Sequence, residues 1–197
     1  MVTALKLPDL LTVDAFLTWD APMGQLWQLV DGVPWAMAPP SPTYALIQGE
    51  MAALIRNHLI AKGGPCFVAV TPGIIPRVQS DTNIRIPDLA VTCTAVLPGD
   101  NVLSDPVLLI EILSPGNRTE TWTNVWSYTT IPSVREILVI HSTSIGAELL
   151  RRGADGTWPE RPQAIEQDLT LDSIDYTGPI AAFYRSTWLH EATPARS

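Results

Sequence analysis

An α/β fold built on a mixed sheet is what this sequence predicts, and three stretches carry the prediction. Val107–Leu113 is a short run of branched residues, apolar on both faces, as expected of a strand buried inside a sheet. A helical pattern follows to Tyr128, and REILVIH at 135–141 supplies the next strand, so a helix crosses between two strands. SPTYALIQGEMAALIRNHLIAKGG, from Ser41 to Gly64, is the best helix in the chain. The chain has 197 residues, 46% hydrophobic and only 16% charged, enough for one domain with a substantial core rather than a disordered segment. The core is expected over about 25–145, with a C-terminal hairpin and tail over 146–197.

Taken in order, residues 1–22 show no clear period, although Thr12 and Asp14 can cap a short helix around Val13–Trp19. LWQLVDGVPWAMA reads as a β-hairpin, because Asp31-Gly32 supplies the positive φ angles of a two-residue turn. Trp27, Leu29, Trp35 and Met37 are expected on one buried face. In the long helix, Ser41 caps, Pro42 fits the first turn and Gly63 closes. Ile47, Met51, Leu54, Ile55 and Leu59 form its core face, and Glu50 lies on the other side, in solvent or as a supplementary acid. CFVAVTPGIIPRV and NIRIPDLAVTC add two strands, joined by a polar turn at Ser80–Asn83. After the central strand, Trp122, Val125 and Trp126 stand at i, i+3 and i+4 and are expected to face the sheet. GAELLRRGADGTW reads as a hairpin through Asp155-Gly156.

One acid, Glu111, stands inside the apolar central strand, where desolvating a carboxylate is costly unless something pairs with it or coordinates it. A second, Asp88, follows Pro87 at the start of the preceding strand. Two acids entering adjacent strands from one side make a hard-oxygen site for Mg²⁺ or Mn²⁺. A solvated strand end, or a structural salt bridge to an arginine, is the alternative.

Pro87-Asp88, a spacer of strand-loop-strand length and then Glu111-Ile-Leu-Ser-Pro115 resemble the Uma-two family of putative restriction endonucleases. LVDGVPWAMAPPSPTYALIQ at 29–48, SDTNIRIPDLAV at 80–91 and IPSVREILVI at 131–140 fit the same pattern, which covers about Leu29 to His141. The resemblance implies a restriction-endonuclease-like core with flanking helices, similar to the PD-(D/E)xK nucleases. It implies metal-dependent phosphodiester hydrolysis, with Asp88, Glu111 and the backbone carbonyl of Ile112 as ligands. The nuclease lysine is absent at Leu113, two residues after Glu111. The family's alternative lysine position, four residues before the tyrosine matching Tyr128, is Asn124. Tyr44 stands where the family commonly has histidine, and Val33 where it commonly has an acid, departures that remove polar groups from the site. Arg118, at the start of the helix, and Arg85, before the PD strand, are the cations that could substitute.

Other features bound the function. No apolar stretch is long enough for a membrane span, and the N-terminus lacks a signal peptide's basic start, so a cytoplasmic protein is expected. Cys66 and Cys93 are too few for a disulfide framework and read as buried small hydrophobes. No Cys or His stands at zinc spacing, and His141 and His190 read as structural. A net charge of −8, with Lys6 and Lys62 the only lysines, is awkward for a DNA partner. The leading reading is a DNA endonuclease with an incomplete site, a homodimer being left open. The alternative is a nuclease-like binding or regulatory module without catalysis, and a third is an unrelated metal-free ligand-binding domain.

Overall fold

A computed structural model describes residues 10–191; expectations for 1–9, Lys6 among them, and for 192–197 lie outside it. Its centre is a six-stranded mixed sheet in the order β3-β4-β5-β6-β7-β8. These strands are β3 (Phe67–Val70), β4 (Leu89–Thr92), β5 (Pro106–Leu113), β6 (Glu136–His141), β7 (Ala147–Arg151) and β8 (Gln163–Ile165). Only β5 and β6 run parallel, and α3 (Arg118–Tyr128) is the crossover between them. β5 is buried along nearly its whole length because helices cover both faces of the sheet.

On one face lies α2 (Pro42–Lys62), which buries Ile47, Met51, Ile55 and Leu59 against Leu108, Ile110 and Ile112 of β5. The Ser41 hydroxyl accepts from the Tyr44 amide at 3.3 Å, and Gly63 closes the helix at φ 72°, as expected. On the other face α3 packs Val125 and Tyr128 against Leu109, Leu113, Ile137 and Val139. The tryptophan stripe is displaced from this contact: Trp126 is 44% exposed and Trp122 only partly buried. The face turned to the sheet carries Thr121, Asn124, Val125 and Tyr128 instead, so two polar residues and a tyrosine hydroxyl occupy ground that tryptophans would have sealed.

The N-terminal part holds α1 (Val13–Leu17), capped by Thr12, and a hairpin of β1 (Trp27–Val30) and β2 (Val33–Ala36). Asp31 and Gly32 both have positive φ, 50° and 81°, as a primed two-residue turn requires. The expected apolar face is corrected by the register. Gln28 pairs with Trp35 and Leu29 with Pro34, so an odd-numbered residue faces an even-numbered one. Leu29 is buried against Val13 and Ile84, whereas Trp35 stands on the opposite face beside Gln28, 54% exposed.

The packed core does not stop near residue 145. β9 (Asp168–Leu171), β10 (Tyr176–Pro179), a 3₁₀ turn over Ile180–Tyr184 and α4 (Trp188–Glu191) follow β8. Leu169, Leu171, Ile174, Phe183 and Tyr184 pack into the same apolar cluster as α2. The Asp155-Gly156 turn belongs to the β7–β8 connection; β7 pairs with Gln163–Ile165, not with residues next to that turn. Glu50 accepts from the Ser186 hydroxyl and does not line the pocket described below, so it is not a supplementary acid there.

Cys66 and Cys93 are joined by a disulfide, which corrects their reading as free hydrophobes. The reason is register: Phe67 pairs with Thr92, so one step further along the β3–β4 pair sets the two cysteines opposite each other. With its ends 27 positions apart in sequence, this cross-link contributes about 3–4 kcal/mol by constraining the unfolded chain. Reduction, or Cys66→Ser with Cys93→Ser, is expected to lower the urea midpoint accordingly. An unchanged midpoint would show that the bond does not persist in solution.

Candidate active site

The site lies where β4 begins and β5 ends. Leu89 pairs with Ile110, so continuing the antiparallel register by one residue sets Asp88 opposite Glu111. A charged like pair directly across two strands is destabilising, and both groups are buried. Directly opposed positions on adjacent strands put the two side chains on one face, with Cβ atoms about 4.5–5.5 Å apart. The surroundings supply donors to both. Tyr44 of α2 donates its hydroxyl to Asp88 Oδ1 at 2.5 Å, and the Ile112 amide donates to Asp88 Oδ2 at 2.6 Å. Tyr128 of α3 donates to Glu111 Oε1 at 2.6 Å, and the Asn124 side chain beside it favours the charged form of Glu111. One helix from each face of the sheet therefore delivers a tyrosine to the acid pair.

Burial pushes the Asp88 pKa up from 3.8 to about 6, against the lowering effect of the Tyr44 and Ile112 hydrogen bonds. Burial, and then the charge of Asp88, push Glu111 well above the usual carboxylate range. Burial raises both tyrosines, which stay neutral hydroxyl donors. The pair therefore holds a proton more tightly than two exposed carboxyls would. A carboxyl with a raised folded pKa binds its proton more tightly in the folded state than in the unfolded state. Its contribution to stability is thus full below about 3.8 and is lost as pH rises through about 6. For Asp88 alone that loss is of order 3 kcal/mol.

Beside the acids opens a pocket of about 390 Å³ between the hairpin and the first turns of α3. Three side chains in its wall have a buried polar atom without a hydrogen-bond partner: Gln28 Oε1, Arg85 Nε and Asn124 Oδ1. These residues are 1%, 5% and 5% exposed, so the orphaned atoms cannot be satisfied by bulk solvent. Arg85 is the buried cation of the site; burial lowers its pKa, while the nearby Tyr128, Asp31 and Glu120 oppose this, and a guanidinium remains charged. Arg118 also lines the pocket but from an exposed position.

α3 starts without a forward cap. Asn117 turns back, its Oδ1 accepting from the Ser114 amide at 2.7 Å and its Nδ2 reaching the Ile112 carbonyl at 3.5 Å. The first-turn residues Arg118, Thr119 and Glu120 line the pocket, so the helix's unpaired amides lie beside it.

Asp88, Glu111, Asn124 and the Ile112 backbone are thus brought together, with Arg118 at the rim. Tyr44 does not remove a polar group from the site; its longer side chain reaches Asp88 with a hydroxyl. Tyr128, Gln28 and Glu120 were not foreseen as site residues. Gln28 Nε2 donates to Glu120 Oε1 at 2.6 Å, a contact across 92 residues that no local pattern encodes. Val33, at the tip of the hairpin, is not among the residues that line the pocket.

A divalent cation fits this donor set. Mg²⁺ is commonly held by one or two carboxylates, with waters and substrate phosphates completing its shell. Asp88 and Glu111 supply the carboxylates, and the unpartnered Asn124 Oδ1 is an acceptor for a water beside the ion. Among the described residues no group of three or more His, Cys, Asp or Glu could hold a metal, so the protein's share of any shell would be small.

Comparison with known proteins agrees with this architecture. Over 182 residues the chain is 28% identical to an uncharacterized protein of Synechocystis sp. (strain ATCC 27184 / PCC 6803 / Kazusa), covering 89% of this chain and 92% of that protein. It superposes with a TM-score of 0.71 on the crystal structure of a putative nuclease belonging to DUF820 from Anabaena variabilis ATCC 29413. That match covers 89% of this chain and 98% of the other at 15% identity, a likeness of fold. No helix among the described residues is long and apolar enough to cross a membrane. The model of the Uma2 family, "Putative restriction endonuclease", matches residues 13–175, which include both acids and the pocket, and the chain belongs to that family.

Proposed function

We propose that the protein is a metal-dependent DNA endonuclease of the PD-(D/E)xK type. The observation that carries the reading is the buried acid pair Asp88–Glu111, set across two strands behind a pocket whose wall holds three unsatisfied polar atoms. A bound Mg²⁺ or Mn²⁺ would lower the pKa of an attacking water and offset charge on the phosphate. Asp88 and Glu111 would hold it, with Tyr44 and Tyr128 orienting them from behind as hydrogen-bond donors. Asn124 Oδ1 accepts from the water. The scissile phosphate lies toward the uncapped start of α3, where unpaired amides favour anions, and Arg85 Nε faces its developing charge. The absent lysine makes this a weaker catalyst than a complete site would be.

A metal that binds only the folded state stabilises it by about 2.7 kcal/mol at a hundredfold excess over Kd, about 5–10 °C in Tm for a chain of this size. The metal must displace the pair's proton, so its affinity is expected to rise with pH up to and beyond about 6. Glu111→Gln removes the mutual repulsion: its metal-free Tm is expected at or above the parent's, and Mn²⁺ should leave it unmoved. A variant that unfolds, or that responds to Mn²⁺ like the parent, sinks the metal site and leaves the acids as a structural pair. Metal binding without cleavage of either supercoiled plasmid or single-stranded DNA favours the second reading, a binding module, which the missing lysine and the net charge of −8 support.

A further inference from the structure

We propose that the pocket beside the acid pair receives an unpaired nucleobase, so that the protein acts on single-stranded or locally unpaired nucleic acid rather than on intact duplex. The proposal rests on the nuclease reading for its class of ligand and deepens it. Two features of the hairpin point to a base. Trp35 leaves a large aromatic surface 54% exposed in the pocket wall, and cross-strand pairing with Gln28 fixes its place there. A flat exposed aromatic beside a phosphate site is the platform on which single-stranded nucleic acid stacks, with little regard to sequence.

Gln28 supplies the second feature. Its Nε2 is committed to Glu120 Oε1 at 2.6 Å, which fixes the amide's orientation and leaves Oε1 as a buried acceptor with no partner. Every nucleobase carries an N–H donor on its Watson–Crick edge, and pairing in a duplex occupies that edge. A base can satisfy Gln28 Oε1 with it only when unpaired. The volume of about 390 Å³ falls in the range of about 300–1,000 Å³ typical of small-molecule sites, suited to one nucleotide and not to a duplex groove.

Charge points the same way. Duplex binders draw affinity from many phosphate contacts by clustered Lys and Arg, whereas this pocket has two cationic residues in its wall, Arg85 and Arg118, in a chain of net charge −8. A ligand bound through one stacked base and one or two phosphates needs no more.

The test is fluorescence anisotropy of the full chain with labelled, phosphorothioate-linked ten-nucleotide DNA, in EDTA and in Mg²⁺. Three probes are compared: single-stranded, the same sequence fully paired, and a single strand made abasic throughout. The single strand is expected to bind about tenfold or more tightly than either other probe. Trp35→Ala, a surface change that leaves the core intact, should erase that preference. Gln28→Leu should weaken the base-carrying strand and leave the abasic one unchanged. Equal binding of paired and unpaired DNA, or a Trp35→Ala protein that keeps the preference, overturns the proposal. Cleavage by a protein that binds both forms equally overturns the pocket alone. Trp35-dependent binding with no cleavage of the same single strand made with ordinary phosphodiester linkages, in Mg²⁺ or Mn²⁺, keeps the pocket and overturns the nuclease reading.

Discussion

Asn124→Lys is expected to raise metal-dependent nicking of plasmid DNA by about 10²–10⁴-fold, the usual worth of a positioned proton-transfer or charge-stabilising group. Asn124 is buried on the α3 face turned to the sheet, near Glu111, with its Oδ1 unpartnered beside the pocket. A lysine there would bring an ammonium to the metal-bound water and the phosphate, held by the same carboxylate. Arg85 is the existing cation, but a guanidinium is a planar fork spread over three nitrogens rather than a compact charge. The same change on an Asp88→Ala background must be silent, since the metal would be lost. A parent protein already as active as Asn124→Lys would show that Arg85 fills the role.

Glu136→Ala is expected to cost about 3 kcal/mol, the low end for breaking a buried ion pair because Arg151 stays partly in solvent. Glu136, the first residue of β6, accepts from Arg151 Nε at 2.7 Å and from the amides of Asp172 and Ser173 at 3.1 and 2.8 Å. Its removal strands two amides in the β9–β10 connection. A fall in Tm of about 6–12 °C would be read by calorimetry. Glu136→Gln, which keeps an acceptor, should fall less. If the alanine variant melts with the parent, residues 168–173 do not depend on the sheet for their place.

Much of the scaffold follows from local rules that the sequence carries in full. The branched apolar run of β5 buries on both faces, the Ser41 cap and Gly63 close α2, and Asp31-Gly32 makes a primed turn, because each depends only on neighbouring residues. Asp88 and Glu111 were legible as a pair because an acid in an apolar strand contradicts its surroundings. The cysteines flank the β3 and β4 runs symmetrically, so the disulfide followed once that pair's register was known; their number alone suggested none.

What the tertiary structure decided is which long-range partners meet. Trp35 faces Gln28 because a two-residue turn pairs odd with even positions, and that parity moved an expected core tryptophan to the pocket wall. The helical spacing of Trp122 and Trp126 was compatible with a buried stripe. The sheet selected the Asn124–Tyr128 side of α3 instead, where a hydroxyl and an amide answer Glu111. Tyr44 looked like a lost histidine in the sequence and became a donor to Asp88 because α2 brings it to the start of β4 from the opposite face. A buried carboxylate needs donors from wherever the fold can deliver them, and those lie 17 and 44 residues away along the chain.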